Sequence, residues 1–320
     1  MRQRTWRGFF RHCWLAGLAV LALGWGAASA QEARLVRLVV PAPPGGNLDA
    51  TARLMAQRLS AVSGETYVVD NRPGANTQIG TEAVVRAPAD GYTLLYAGTG
   101  VAFLPWVQKV AFSPLADLAP VAQVTLDHYV LAVHANSPAG NLAQLVELAR
   151  GREGGLNCAA YPGATSIACE QLRARLDGKV TTIPFQGIAP TVNAVLGGHA
   201  DMLFVNSSAV AKLIATGRMR VLAQTTGAGL AGVPVLTDRW PGFLLEGHSG
   251  ILAPAGTPAA RIRQLNRDIN RVLQEPDVLA VLSEGGQDPA GGSPQHYGEV
   301  FARTHAQYGA MIQKLNLRPK

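Results

Sequence analysis

The chain of 320 residues predicts two doubly wound α/β domains joined by crossing strands around a ligand cleft. Three observations lead there. Short apolar strands are followed by Gly/Pro-rich breakers and then by segments of helical periodicity. That unit occurs three times in succession, and its logic returns later in the chain. From Pro258 onward the strand pattern gives way to helices.

The first unit is the clearest. Val36, Leu38, Val39 and Val40 read as a buried strand. Pro41 to Asn47, with Pro43, Pro44, Gly45 and Gly46, breaks it. Ala52, Leu54, Met55 and Leu59 then keep helical spacing behind Asp49. A glycine turn before a helix brings backbone close to a ligand, and the helix's first N–H groups lack partners, which suits an anion. The alternative is a tight connection with Asp49 as helix N-cap.

Two further units follow. Tyr67 to Asp70 is a strand, Asn71 to Asn76 a turn-rich loop, and Ile79 to Arg86 a helix. Tyr92 to Ala97 is a third strand, ending in Gly98-Thr99-Gly100. Successive βα units build a parallel sheet whose ligands bind beyond the strands' carboxyl ends, so loops 43–49, 71–78 and 98–101 should share one rim.

Strands at 121–124 and 129–133 carry the chain away, and a helix capped around Ser137-Pro138 covers 142–150. Leu156 to Ala160, the loop Tyr161 to Ser166 and a helix through Leu176 repeat the opening logic. Strands at 180–183, 201–206, 220–224 and 249–253 are expected to complete a second parallel sheet, with a helix at 190–196. Helices spanning 262–273, 278–282 and 294–315 close the chain and pack back on the first domain. The expected division is 1–30 signal peptide, 31–128 with 251–320 domain 1, and 129–250 domain 2, a clamp that closes on a hinge.

Arg2, Arg4, Arg7 and Arg11 precede an apolar run from Trp14 to Trp25 and then Ala28-Ser29-Ala30, the pattern of an export signal cleaved near Ala30. No other apolar stretch reaches the roughly 18 residues of a membrane span. Removing four arginines from 28 basic residues leaves 24 against 21 acidic, so +7 falls to +3 and nucleic-acid binding loses its electrostatic support. Cys158 and Cys169 either bridge or stay free and buried.

Catalytic signatures are missing. Gly247-His248-Ser249-Gly250 stops short of a nucleophile elbow because residue 251 is Ile. The seven histidines have no metal-ligand spacing, and no phosphate-binding glycine motif follows a strand. The expectation is a binding protein with no catalytic residue, metal or cofactor, its site built from loop amides and hydroxyls.

Pro43-Pro44-Gly45-Gly46-Asn47-Leu48-Asp49 with Arg53 resembles the PPGGxxDxxAR segment of the Bug (TctC-like) receptors of tripartite tricarboxylate transporters. Asn71-Arg72-Pro73-Gly74-Ala75 with Ile79-Gly80 is similar to a second motif of that family, and Ala87 to Leu95, reading APADGYTLL, to a third. Pro184-Phe185-Gln186-Gly187, Gly197-Gly198 with Asp201, Gly217 to Arg220 and Ala253 to Pro258 follow in the same order.

The resemblance implies a periplasmic, Venus-flytrap solute-binding protein that takes a small organic anion, often a carboxylate. It would deliver the anion to permease subunits of a tripartite tricarboxylate-type transporter. The alternative is a periplasmic sensor or adaptor that reports occupancy to a signalling partner. A monomer is expected. Candidate ligand-binding residues are Pro43, Gly45, Gly46, Asn47, Asp49, Asn76 and Thr99 on one rim, and Tyr161, Pro162, Gly163, Thr165, Ser166, Phe185, Gly187 and Asn206 on the other. In the family the carboxylate is held mainly by backbone amides and waters, with Thr165 or Ser166 matching a hydroxyl position. The sequence departs from the family where Ile167 follows that position instead of His, and where His248 stands for a frequent Trp. A loop without that His suits a different or less charged anion.

Overall fold

Strand β1 (Leu35–Val40) buries Val36, Leu38, Val39 and Val40, apolar on both faces as a central strand requires. The computed structural model describes residues 35–161, 163–225 and 230–317, so the expected leader lies outside the described residues, as does Pro162. No helix among the described residues is long and apolar enough to cross a membrane.

Among the described residues, the first sheet has six strands in the order β11-β4-β10-β3-β1-β2. β2 (Thr66–Asn71) and β3 (Thr93–Gly98) run parallel to β1. β10 (Gly247–Pro254) lies antiparallel between β3 and β4 (Leu118–Asp127), and β11 (Gln287–Gly291) pairs antiparallel with β4. One face packs Val36, Leu38, Leu94, Tyr96 and Ile251 against Met55 and Leu59 of helix Asn47–Ser63 and Leu265 and Ile269 of helix Ala259–Val272. The other packs Val39, Leu95 and Leu252 against Val84, Val101, Tyr297 and Phe301. The last two belong to the long helix Pro294–Lys314.

The second sheet has the order β7-β6-β8-β5-β9. β6 (Leu156–Ala160) is parallel to β7 (Val180–Pro184) and β8 (Met202–Asn206), while β5 (Tyr129–His134) is antiparallel to β8 and β9 (Met219–Gln224). Its core joins Leu131, Leu156, Phe204 and Leu172 on one face and Val130, Leu203, Val195 and Val210 on the other.

The expectation of a second parallel sheet containing 220–224 and 249–253 is therefore corrected. Each sheet is mixed, and β10 belongs to the first. The reason is the path of the chain: β5 enters the second sheet from the first lobe and β10 returns from the second, and each arrives running against its neighbours. All eight residues of β10 pair in the first sheet, so the boundary expected between 250 and 251 falls inside a strand.

One other expectation changes, and one strand carries no sequence signal. Helix Leu142–Gly151 is capped by Asn141, whose side chain accepts from the Gln144 N–H, and not around Ser137-Pro138. β11 reads Gln-Asp-Pro-Ala-Gly, a pattern with no strand signal, and Pro289 is tolerated because the strand lies at the sheet edge. The terminal helix packs on the first lobe as expected, and it also stacks Tyr308 on Phe103 at 4.5 Å within the second lobe's apolar cluster.

A disulfide joins Cys158 on β6 to Cys169 on helix Ala164–Arg175, resolving the open alternative. A cross-link over 11 residues restrains mainly the unfolded chain. The oxidised chain from residue 31 should have no titratable thiol when denatured without reductant, and C158S/C169S should lose about 2–3 kcal/mol in guanidinium titration. Two reactive thiols would contradict the bridge.

Candidate functional site

The first rim hangs on one carboxylate. Asp49 lies in the first turn of helix Asn47–Ser63 and is 3% exposed. Its Oδ2 accepts from the Gly45 N–H (2.9 Å) and Arg53 Nε (3.0 Å), and its Oδ1 accepts from Asn71 Nδ2 (2.9 Å). Asp49 is thus not the N-cap. That position is Gly46, with no side-chain cap, and the Asp49 carboxylate reaches back to brace the loop. Burial alone would raise the Asp49 pKa. The hydrogen bonds from Arg53, Gly45 and Asn71, with the Arg53 charge, outweigh it and hold the pKa below the ordinary aspartate value.

With its oxygens occupied and its charge met by Arg53, Asp49 acts as a brace for the loop. Asn71 extends the brace by donating to the Ala42 carbonyl at 3.1 Å. Pro43, Gly45 and Gly46 stand exposed, with Asn47 half-buried beside them. Gly45 has φ +86°, a conformation costly for other residues.

On the second rim, Gly163 (φ +116°) opens helix Ala164–Arg175, again without a side-chain cap. Thr165 Oγ1 and Ser166 Oγ donate to the Tyr161 carbonyl at 2.7 and 2.9 Å. The hydroxyls therefore do not cap the helix, and their protons are committed to the loop. Tyr161 donates its phenol to Asn206 Oδ1 at 3.1 Å, tying the ends of β6 and β8. Gly187 (φ +105°) opens helix Ile188–Leu196, and half-buried Phe185 packs near it on the second lobe's apolar cluster. Thr99 is buried and bonded to the His248 backbone in both directions, joining β3 to β10.

A cavity of about 330 Å³ lies between the lobes. Asn76, Thr77, Gly100, Phe103, Leu104 and Val107 line it from the first lobe, and Gly163, Ser166, Ile167, Glu170 and Thr182 from the second, with Leu317 beside them. The structure thus brings Asn76, Gly163 and Ser166 to one space. The remaining described candidates, Pro43, Gly45, Gly46, Asn47, Asp49, Thr99, Tyr161, Thr165, Phe185, Gly187 and Asn206, do not line it. The one ionisable residue among the described lining, Glu170, accepts from Arg173 Nε and from Thr182 Oγ1, each at 2.6 Å.

Sequence reasoning missed the polar chain at the crossing from β4 to β5. Gln287 Nε2 and Thr125 Oγ1 donate to Asp127 Oδ1 at 2.7 and 3.1 Å. Thr51 donates to Gln287 Oε1 at 2.9 Å, and Thr125 meets the Ser249 hydroxyl at 2.7 Å. Burial raises the Asp127 carboxyl against these hydrogen bonds and the His128 charge. No local pattern marks the chain, because its members are scattered over several strands and a helix. His248, the departure noted above, is 3% exposed, with Nε2 3.1 Å from Thr304 Oγ1. Burial, with Arg303 nearby, lowers its pKa to about 4.

Two mixed α/β lobes, joined by crossing strands and meeting over a cavity lined from both sides, define a solute-binding receptor, a non-enzymatic class. The sequence family described as the tripartite tricarboxylate transporter family receptor matches residues 51–317. A UPF0065 protein of Bordetella bronchiseptica is 34% identical over 310 residues, covering 94% of this chain and 92% of that one. The structure of R. palustris Rpa4515 with adipate is 28% identical with a TM-score of 0.82, covering 91% and 100% of the two chains. The periplasmic binding protein BugD is 25% identical with a TM-score of 0.80, covering 90% and 99%. The chain belongs to the tripartite tricarboxylate transporter receptor (Bug/TctC) family.

Asp49→Asn should cost roughly 1–3 kcal/mol of stability, because it leaves Arg53 and the Gly45 amide poorly matched. The depressed Asp49 pKa stabilises the fold above pH ~4 and loses that contribution as pH falls further, so the variant should have a flatter acid limb below pH ~4 in urea titrations. For His248, whose folded pKa is also depressed, stability is full above about pH 6.5 and falls toward pH 4. His248→Gln should remove on the order of 3 kcal/mol of that slope, as read by denaturation at stepped pH.

Proposed function

We propose that this protein captures a small organic carboxylate between its lobes in the periplasm and presents it to the membrane subunits of a tripartite tricarboxylate-type transporter. The mature chain begins after cleavage near Ala30, acts as a monomer, and is divided into domains close to the crossings after β4 and before β10. One observation carries the reading. Two helices, one from each lobe, start behind Gly46 and Gly163 with no side-chain cap, Gly163 lines the cavity between the lobes, and the adjacent carboxylate and hydroxyls are bonded within the protein.

Such helix starts offer N–H groups to an anion, and their dipoles favour negative charge. Donors from two lobes converge on one carboxylate better than either lobe alone, and excluding water strengthens charge-assisted hydrogen bonds. Rpa4515, bound to adipate, supplies a precedent for the ligand class within a shared fold.

The test is a thermal-shift screen of the chain from residue 31 with carboxylates, amino acids and neutral sugars. A carboxylate at ~100 times its Kd should add about 2.7 kcal/mol of stability. Shifts from sugars alone would overturn the reading.

A further inference from the structure

Resting on that carboxylate reading, we propose that the cavity between helices Gly100–Val107 and Ala164–Arg175 holds the apolar body of the ligand, so that the cargo is an amphipathic monocarboxylate, such as a ring-bearing or medium-chain acid, and not a di- or tricarboxylate.

The walls carry the argument. Phe103, Leu104 and Val107 present one side, and Ile167 with Leu317 the other. Phe103, Leu104 and Ile167 are each at most 3% exposed, so the walls are side chains packed into the core. The volume, about 330 Å³, lies at the lower end of the ~300–1,000 Å³ range of small-molecule sites. Gly163 and Ser166 line the same space, so the cavity adjoins the amide-rich start of helix Ala164–Arg175. A carboxylate held there would direct the rest of its molecule against the apolar walls.

A second carboxylate would be poorly served. The lining contains no Lys, Arg or His among the described residues, and an ionised group taken from water without a partner is strongly penalised. Three of the polar lining side chains are also committed elsewhere, while the buried Thr77 hydroxyl has no hydrogen-bond partner among the described residues. Asn76 Nδ2 donates to Gln108 (2.8 Å), Thr182 donates to Glu170, and Ser166 donates to Tyr161. Glu170, paired with Arg173, accepts hydrogen bonds and supplies no donor to a second carboxylate. Removing one charge from a ligand while keeping its chain should therefore improve binding.

The test is calorimetric titration of the chain from residue 31 with a matched pair, adipate and its monomethyl ester, alongside benzoate, citrate and benzamide. The ester should bind at least about tenfold tighter than adipate, and benzoate at least about tenfold tighter than citrate. Val107→Trp, which fills the space from a half-buried position, should weaken benzoate at least about tenfold. Val107→Ala guards against misfolding of the larger variant and should move preference toward a bulkier acid, 2-naphthoate. Adipate or citrate binding as tightly as its counterpart would overturn this inference and leave the carboxylate reading standing. Benzamide binding as tightly as benzoate, or no binding by any acid, would overturn both.

Discussion

The Asp49 carboxylate holds together three segments: the glycine loop through the Gly45 amide, the following helix through Arg53, and the end of β2 through Asn71. A glycine-rich loop is entropically costly to order and would not keep its amides in one arrangement unaided. Three donors on one buried acid fix it, and the nearby guanidinium keeps the acid from presenting an open negative charge to an incoming anion. The result is a loop whose amides are held in one arrangement, the preorganisation that the proposed anion site requires.

The same economy of parts runs through the junction of the lobes. β5 and β10 are strands of one lobe delivered from the other, and each lies antiparallel inside its host sheet. Asp127 ends β4 where the chain leaves the first lobe, and Gln287, Thr125, Thr51 and Ser249 join it to neighbouring elements. The terminal helix adds an apolar tie through Tyr308 on Phe103, with the Tyr308 hydroxyl donating to the Glu246 carbonyl at 3.1 Å. The strands that cross between the lobes are anchored in a sheet on arrival.

Much of this is legible in the sequence, for identifiable reasons. β1 and helix Asn47–Ser63 announce themselves because β-branched runs and 3.6-residue periodicity are local properties. Gly45, Gly46 and Gly163 mark the rims because glycine before a helix has a backbone meaning of its own. The direction of β9 and the sheet membership of β10 are not legible, because strand partners are chosen by topology, which local sequence does not encode. β11 escapes notice because an edge strand needs no apolar alternation.

At the site, the hydroxyls of Thr99, Thr165 and Ser166 are recognisable as polar groups on the expected loops. Their direction, inward to His248 and Tyr161, depends on contacts no motif records. Phe103, Leu104, Val107 and Leu317 read only as core, since apolar residues lining a cavity and filling one look alike in a sequence.

The most direct measurement is the backbone amide NMR spectrum of the isotopically labelled chain during titration with a bound carboxylate. Large, saturable shifts at Gly45 to Leu48 together with Gly163 to Ser166 are predicted, because amides from both lobes meet one anion. Shifts confined to one lobe, or absent from both loops while the ligand binds, would contradict a site assembled from two helix N-termini.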